Sequence, residues 1–263
     1  MKNLAMKIYG AASTSDSLGQ FWAGDDFEQN LELCEYETVR HVFAHYLTRD
    51  MRILDAGCGL GRWVFYLRKK GYTAWGVDLS DQALAIIRPF DTEGYIIKGD
   101  VCDLPFANNS FDAVISMGVV EHFEQGPEKA LTEARRILTD QGLLLISIPP
   151  DNLLRKLTIH RLYSWRARNT IRKGGALSFA EYWFSEKEFR GLLEKCGFII
   201  DSIVTDELDP PKNIGLYVDF NFLQSKKGNF ELNRAGLILE RILRRISPAI
   251  CRGGVHFVCR KNG

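Results

Sequence analysis

The sequence lacks the paired cysteine spacings on which disulfide frameworks and zinc sites depend. None of its six cysteines forms a C-x-x-C pair or a cluster with histidine, and they stand at positions 34, 58, 102, 196, 251 and 259. Isolated cysteines of this kind are typical of reduced thiols in a cytosolic protein. We therefore expect no disulfide framework, no metal site and a cytoplasmic location.

Long apolar runs and a strong net charge are also missing. No stretch approaches the roughly 20 apolar residues that a membrane span needs, and residues 1–9 lack the apolar core of a signal peptide. The formal net charge is +1 at pH 7, so composition alone favours no polyanionic partner. The 263 residues, of which 46% are hydrophobic and 25% charged, are typical of one large soluble α/β domain with insertions.

A glycine-rich turn at residues 53–62 is the most informative stretch, with the sequence Ile-Leu-Asp-Ala-Gly-Cys-Gly-Leu-Gly-Arg. An apolar run ends at Asp55, three alternate glycines follow, and the next residues carry the apolar pattern of a helix. Glycines permit a tight turn and the close approach of a ligand, and the helix N-terminus behind them favours an anionic group. The spacing G-x-G-x-G excludes the dinucleotide fingerprint G-x-G-x-x-G, and the missing Lys-Ser/Thr excludes a P-loop.

Strand and helix patterns alternate along the chain. The predicted helices cover residues 27–47, 63–70, 83–88, 127–138, 185–196 and 232–246. The predicted strands cover residues 53–54, 73–77, 95–98, 111–116, 143–148, 198–204 and 255–260. This alternation predicts a parallel sheet wrapped by helices. Ligands of such sheets bind beyond the carboxyl ends of the strands, so we expect Asp78, Asp100 and residues 117–122 beside the glycine turn.

Asp78 ends the second predicted strand, 21 residues after Gly57. A carboxylate at this place can bind both ribose hydroxyls of a nucleoside that lies across the sheet edge. Capping of the following helix is the alternative role for a single acid after a strand. The spacing between Asp78 and the glycine turn favours ribose binding over helix capping.

Taken together, these features resemble the class I S-adenosylmethionine-dependent methyltransferases. The resemblance rests on D-x-G-x-G-x-G from Asp55, the acid at Asp78, G-D-x-x-D-L-P-F before S-F-D in residues 99–112, and Glu-His at 121–122. It covers residues 51–150 and, more weakly, 183–204, and it is nearest to the small-molecule branch that includes the ubiquinone and menaquinone biosynthesis methyltransferases. It implies a Rossmann-like, seven-stranded, mostly parallel sheet with an antiparallel last strand and helices on both faces.

The resemblance implies S-adenosylmethionine as cofactor and a role for each matching residue. It places Asp55, Gly57, Cys58 and Gly59 at the methionine end, Asp78 on the ribose, Leu79 and Val101 against the adenine, Asp100 on the adenine amino group, and the backbone of Met117 and Gly118 on the cofactor amino group. His122 would face the acceptor. Our candidates near the transferred methyl are His122, Tyr182, Trp183 and His160, although Glu121 and His122 serve equally well as a helix-entry pair.

Two insertions interrupt the methyltransferase domain, which is expected to span residues 51–263. The first, residues 152–182, has seven cationic residues and no acidic residue up to position 180, and Trp and Tyr are interleaved with them. The second, residues 205–253, carries an amphipathic helix that contains arginines. We expect these insertions to form a helical cap, which lies on an anionic membrane, clamps an anionic acceptor or presents a solvated cationic face.

Residues 1–50 are expected to form an N-terminal leader and a helix. Residues 10–26 are rich in Gly, Ser and Asp and contain Phe21 and Trp22. These aromatic residues either pack the leader against the domain or close over a ligand as a lid.

The expected function is methyl transfer from S-adenosylmethionine to a small-molecule or lipid-linked acceptor, with peripheral contact at the inner membrane face as one hypothesis. Cyclopropane-synthase-like or other carbon methylation of a lipid is an alternative, because Glu121-His122-Phe123 resembles a motif of cyclopropane fatty acid synthases. A cofactor-binding regulatory protein without turnover is an alternative of a different class. Nucleic acid is not expected as a partner, because the aromatic-basic stretch is short and no recognised binding module accompanies it.

Overall fold

The fold is given by a computed structural model that describes residues 6–11, 27–149, 151, 153–209, 212–213, 215–226, 230–247 and 253–262. The helices are α1 Phe27–Leu33, α2 Val39–Tyr46, α3 Arg62–Lys69, α4 Asp81–Ile87, α5 Glu128–Ile137, α6 Leu153–Leu157, α7 Ile159–Arg172, α8 Glu186–Lys195, α9 Gly215–Asp219 and α10 Arg234–Ile246. The strands are β1 Met6–Ala11, β2 Arg52–Ala56, β3 Thr73–Asp78, β4 Ile96–Lys98, β5 Phe111–Met117, β6 Leu138–Ile148, β7 Leu177–Trp183, β8 Phe198–Asp206 and β9 Gly254–Lys261. Short 3₁₀ turns cover Val120–His122 and Asn221–Leu223.

Seven strands form the main sheet, in the order β4-β3-β2-β5-β6-β9-β8. Strands β2 to β6 pair in parallel, whereas β9 runs antiparallel to both β6 and β8. The sequence-based prediction of a Rossmann-like, mostly parallel sheet with an antiparallel last strand is therefore confirmed.

Helices cover both faces of this sheet, as predicted. Ile53 of β2 belongs to a core cluster with Phe43 of α2 and Trp63 of α3, whereas the next residue, Leu54, belongs to a second cluster with Phe189 of α8. Successive side chains of a strand point to opposite faces, so each face of β2 contributes to a separate core. A strand buried on both faces carries a continuous apolar run rather than an alternating one.

The direction of strand addition reverses between β2 and β5. The chain runs outward from β2 to β3 and β4 and then returns to place β5 on the other side of β2. The loops after β2 and β5 diverge at such a point and leave a crevice at the carboxyl ends of the strands, where ligands of open α/β sheets bind. These two loops contain residues 57–61 and 118–122.

The predicted single helix over residues 27–47 is wrong, because it is broken into α1 and α2. Glu37 forms an isolated bridge with Leu208 and an ion pair with Arg62. The Thr38 amide donates a hydrogen bond of 3.0 Å to the carbonyl oxygen of Glu207. These contacts with the segment after β8 replace the helical hydrogen bonds of the intervening turn.

Residues near the N-terminus and the end of the first insertion form a second, two-stranded sheet that the sequence patterns did not indicate. Strands β1 and β7 pair antiparallel, with Met6 opposite Trp183 and Ala11 opposite Leu177. The prediction that the first insertion, residues 152–182, is helical is therefore correct only for α6 and α7. The predicted lid aromatics Phe21 and Trp22 lie outside the described residues.

The two insertions pack together as a cap, which we define as the described residues of 153–183 and 212–247 together with β1. Leu154 of α6 packs against a cluster that contains Leu216 and Leu223, and Leu239 and Leu243 of α10 contact the same cluster. This arrangement confirms the prediction of a helical cap and adds the β1–β7 sheet to it. Within the described ranges, no helix is long and apolar enough to cross a bilayer.

Candidate active site

Asp55 is the last residue but one of β2, next to the glycine turn, and its side chain is buried. The residue is 3% exposed, and its Oδ2 has no hydrogen-bond partner in the part of the chain that the structure describes. Burial raises the pKa of this carboxyl group to about 7; Arg62 opposes the shift and Asp78 adds to it. A buried polar atom without a partner costs free energy, so Asp55 fits a site where a ligand supplies an N–H or ammonium donor.

Gly57 brings the loop after β2 against the loop after β5. Its φ of +83° favours glycine, and a Cβ atom at this position would lie 2.6 Å from either methyl group of Val119. The amides of Gly57 and Cys58 donate to the carbonyl oxygen of Val77 at 2.8 and 3.0 Å. Burial raises the pKa of the Cys58 thiol well above its usual range, so this side chain is a neutral packing group.

Asp78 connects the glycine turn to the end of β3. Its Oδ2 accepts a hydrogen bond of 2.7 Å from the Gly59 amide, and its Oδ1 accepts one of 2.8 Å from the Ser80 amide. Capping of α4 is performed by Ser80, whose hydroxyl oxygen accepts from the Ala83 amide at 3.2 Å. Each carboxylate oxygen of Asp78 therefore keeps acceptor capacity for a ligand. Leu79 beside it is 51% exposed.

The loop after β4 lies against the end of β3. The Gly99 amide donates to the carbonyl oxygen of Asp78 at 3.0 Å. The Oδ1 of Asp100 accepts from the Cys102 amide at 2.8 Å, and the partly buried Val101 packs against the core. The structure thus places Asp100 and Val101 beside Asp78, at the edge where the sequence predicts the adenosine end of a cofactor.

The loop after β5 leaves open space beside its glycine. Gly118 has a φ of +70°, and its amide donates to the Ser147 hydroxyl of β6 at 3.1 Å. Among the described atoms, a Cβ at Gly118 would find only Glu121 Oε1 within 4 Å, at 3.8 Å. Met117 and Gly118 therefore border a gap between the glycine turn and the end of β6.

Glu121 is a buried acid that the sequence analysis did not include among the four candidate catalytic residues. It is 3% exposed, and its Oε2 has no hydrogen-bond partner among the described residues. Burial raises its pKa to about 7; His122 opposes the shift, while the nearby Glu181 adds to it. A sequence signal for this residue exists. Glu121 follows Gly118 by three residues in the loop after β5, and the loop after a strand at the switch point borders the ligand crevice.

The four candidate catalytic residues do not converge on one point. His122 is exposed, and its Nδ1 lies 3.0 Å from the carbonyl oxygen of Ala180. Tyr182 is buried in the main core, and its hydroxyl donates to the carbonyl oxygen of Glu124 at 2.8 Å. Since Tyr182 and Trp183 are consecutive residues of β7, their side chains point to opposite faces.

Trp183 and His160 lie together on the cap side of β7. Their rings are 5.4 Å apart, and the indole N–H of Trp183 donates to Glu181 Oε1 at 2.6 Å. His160 Nε2 lies 2.9 Å from Asp151 Oδ1, and burial lowers the pKa of the imidazole. The Trp183 side chain therefore faces the cap, and the His160 ring packs against the indole.

A pocket of about 740 Å³ is lined mainly by residues of the cap. It is bordered by Pro149 after β6 and Gly253 before β9, so it lies at the same edge as the glycine turn. Aromatic rings line much of its wall: Tyr163, Trp183, Phe220 and Phe222. This volume is typical of sites that hold small organic molecules.

The charges around the pocket are largely balanced. Arg155 and Asp219 are 4% and 6% exposed at their side chains and form an ion pair of 2.9 Å between the two insertions. The guanidinium carbon of Arg155 also lies 4.8 Å from the centre of the Trp183 ring. Arg155 therefore does not belong to a solvated cationic face. Arg166 and Glu181 supply further charges of opposite sign to the pocket lining.

Residues 54–146 match the protein-family model described as a methyltransferase domain. The match runs from β2 to β6 and contains both loops of the switch-point crevice. Residues 54–146 therefore form a methyltransferase domain, as the sequence motifs predicted. The predicted cofactor is also confirmed, and this methyltransferase uses S-adenosylmethionine as its methyl donor.

Two curated relatives illustrate how far the similarity extends. A putative methyltransferase of Encephalitozoon cuniculi is 29% identical over 162 residues, which cover 60% of this chain and 73% of that protein. A malonyl-[acyl-carrier protein] O-methyltransferase of Pectobacterium atrosepticum is 32% identical over 108 residues. The latter match covers 41% of this chain and 42% of the relative, so it is confined to less than half of each protein.

A solved structure resembles nearly the whole methyltransferase. It is the putative methyltransferase of Haloferax volcanii, whose structure was solved in complex with the Trm112 methyltransferase activator. The TM-score is 0.64 at 20% identity, and the alignment covers 95% of this chain and 100% of that one. A likeness at this level of identity establishes the shared fold.

Proposed function

We propose that this methyltransferase acts on a small-molecule or lipid-linked acceptor whose apolar part binds in the cap pocket. The observation that carries the proposal is the aromatic pocket of about 740 Å³ at the carboxyl edge of the sheet. Its border at Pro149 puts it next to β6, whose Ser147 is bonded to Gly118 in the loop after β5. The malonyl-[acyl-carrier protein] relative is named for an acyl acceptor, which agrees with this class.

The cofactor, when bound, supplies an electrophilic sulfonium methyl group. We propose that Asp55, Gly57, Cys58 and Gly59 hold its methionine end, with the backbone of Met117 and Gly118 on the amino group. Asp78 would accept from the ribose hydroxyls, and Leu79, Asp100 and Val101 would hold the adenine. The unpartnered Oδ2 of Asp55 and the exposed side chain of Leu79 support this assignment.

The residues of the acceptor side act mainly by positioning. Holding a nucleophile in line with an electrophilic carbon and excluding water lowers the barrier by about 7–11 kcal/mol at best. Trp183 would contact the acceptor, His160 would hold the indole in place, and Tyr182 would anchor β7 through its bond to Glu124. His122 would lie at the rim of the acceptor site, where its contact with Ala180 connects the loop after β5 to β7.

Glu121 supplies a proton acceptor for an oxygen or nitrogen nucleophile in this proposal. Its Oε1 lies 3.8 Å from the position that a Cβ atom of Gly118 would occupy, beside the place proposed for the cofactor amino group, and Glu181, which adds to its raised pKa, lines the pocket. A general base of this kind typically accelerates a reaction by about 10²–10⁴-fold. It is needed only where the acceptor retains its proton until the transfer step.

Incubation with deuteromethyl S-adenosylmethionine and cell extract tests the proposal. The extract is separated into a lipid fraction and a water-soluble small-molecule fraction, and each is searched by mass spectrometry for molecules that have gained CD₃. We expect labelled products in one fraction, and a strong loss of label with Trp183→Ala but not with the matched surface variant Lys187→Gln. Cofactor binding by calorimetry without any labelled product would instead indicate a regulatory protein.

A further inference from the structure

Helix α10 has two apolar sides, of which only one is used by the fold. On its inner side, Leu239 and Leu243 pack against the cap cluster. On its outer side, four large apolar side chains are exposed to solvent: Leu237 by 47%, Ile238 by 60%, Ile242 by 52% and Ile246 by 71%. Contiguous exposed apolar surface of this kind marks an interaction site.

Among the described residues, the contacts that hold α10 against the rest of the cap involve its inner side and its N-terminus, and none of them involves the outer apolar residues. Asn233 caps the helix by accepting a hydrogen bond of 3.0 Å from the Gly236 amide. Glu240 accepts from Asn213 at 2.6 Å and pairs with Arg244 at 2.8 Å, and Arg244 also contacts Glu207 at 3.3 Å. The outer apolar residues are therefore available to a partner.

The outer side of α10 is cationic as well as apolar. At 100° per residue, Ile238, Ile242 and Ile246 form one row along the helix. Arg241 and Arg245 form the adjacent row, and both are exposed, as is Arg234 in the first turn. In the described structure, no carboxylate lies within ion-pair distance of these three arginines. We define these six residues and Leu237 as the outer face of α10.

The outer face begins beside the mouth of the cap pocket. Asn233, which precedes α10, donates through its side-chain amide to the carbonyl oxygen of Phe222 at 2.8 Å. Phe222 lines the pocket, and the residue is 74% exposed. A surface that contacted the outer face would therefore also reach the exposed aromatic ring at the pocket rim.

We propose that the outer face of α10 docks on the surface of an anionic bilayer, with Phe222 inserted beside it. A helix with an apolar row next to an arginine row has the composition that binds headgroup regions of anionic lipids. A second copy of the chain fits less well, because a symmetric pairing would bring two uncompensated arginine rows together. The inference rests on the proposed function in one respect, since it assigns the acceptor to the lipid-linked class.

Vesicle sedimentation with the full chain tests this docking. We expect binding to equimolar phosphatidylcholine and phosphatidylglycerol vesicles at least about tenfold tighter than to phosphatidylcholine alone, and weaker binding at high salt. The triple variant R234Q/R241Q/R245Q should lose on the order of 100-fold in affinity for the anionic vesicles. I238S/I242S should lose at least about tenfold. The matched variant R172Q/K173Q, on an exposed turn of the first insertion, should bind like the original chain.

Several outcomes would overturn the docking proposal. Equal binding to neutral and anionic vesicles would contradict it, as would unchanged binding by both outer-face variants. A dimer in light scattering that becomes monomeric in I238S/I242S would assign the outer face to a second copy instead. Circular dichroism and cofactor titration verify that each variant is folded. Labelling of detergent-dispersed extract reports the proposed function separately, because that reaction needs no bilayer.

Discussion

The Oδ2 atom of Asp78 lies 2.7 Å from the amide nitrogen of Gly59, so an acid at the end of β3 holds the glycine turn that follows β2. The same carboxylate accepts from Ser80 through its other oxygen. Asp78 therefore shapes the crevice at the sheet edge, and its remaining lone pairs are available for the proposed ribose contact.

Replacing Asp78 with Ala should weaken cofactor binding strongly. The change removes a charge-assisted hydrogen bond to the turn and the proposed ribose contact, each of which contributes about 1.5–3 kcal/mol. We expect the Kd for S-adenosylhomocysteine in calorimetry to rise by at least about 30-fold. Ser80→Ala is the control, because it removes the α4 cap at a cost of about 1 kcal/mol in stability while leaving the Kd close to that of the original chain. A Kd unaffected by Asp78→Ala would rule out the ribose assignment.

Asp55→Asn should stabilise the ligand-free protein at pH 8 and weaken cofactor binding. The folded pKa of about 7 lies above the ordinary value of 3.8, so the folded state binds more protons between these values. Stability is therefore lost progressively as pH rises from about 3.8 to about 7, because the unfolded chain releases its proton first, and the variant should remove this dependence. We expect a gain of up to about 4 kcal/mol in urea unfolding at pH 8, which corresponds to the difference of about three between the two pKa values. The gain should be smaller at about pH 5 and absent at about pH 3, where the carboxyl group is protonated in both states; an equal gain at all three pH values would contradict the assignment.

Glu121→Gln should remove a pH dependence of methyl transfer without affecting cofactor binding. If Glu121 accepts a proton, activity rises as pH passes through about 7, since only the ionised carboxylate acts as a base. We expect the variant to lose about 10²–10⁴-fold in rate at pH 8 and to show a flat profile. Total CD₃ incorporation into extract, measured across the pH range, provides the readout. His122→Gln is the matched neighbour and should retain the rise; an unchanged profile in Glu121→Gln would exclude the proton-acceptor role.

Asp219→Ala should loosen the cap, because it leaves the guanidinium of Arg155 buried without its carboxylate. Loss of one partner of a buried ion pair typically costs about 3–5 kcal/mol. Hydrogen exchange should show increased opening of α6, α7 and α9 with little change in the main sheet. The double variant R155M/D219L should recover much of this protection, since replacing both partners by apolar groups is often neutral. Equal loss in the single and double variants would mean that the pair itself, rather than an orphaned charge, stabilises the cap.

The sequence by itself determined the glycine turn, the acids at Asp55, Asp78 and Asp100, and the sheet edge on which they meet. These features follow from local spacing, because parallel strands joined by helices must bring their carboxyl ends to one edge. Most strands of the main sheet were predicted within a few residues for the same reason. An exception is β6, which begins at Leu138 rather than Leu143, because Phe111 of β5 pairs with Leu138 across an irregular register.

Only the tertiary structure decided the break between α1 and α2, the pairing of β1 with β7, and the burial of Glu121 and Arg155. Three of these depend on a partner remote in the chain: Glu37 meets Leu208, Met6 meets Trp183, and Arg155 meets Asp219. A sequence pattern reports what a segment favours locally, whereas the burial of a charge depends on what packs around it. For this reason the glycine turn and its neighbouring acids could be predicted from sequence, whereas the cap and its pocket required the structure.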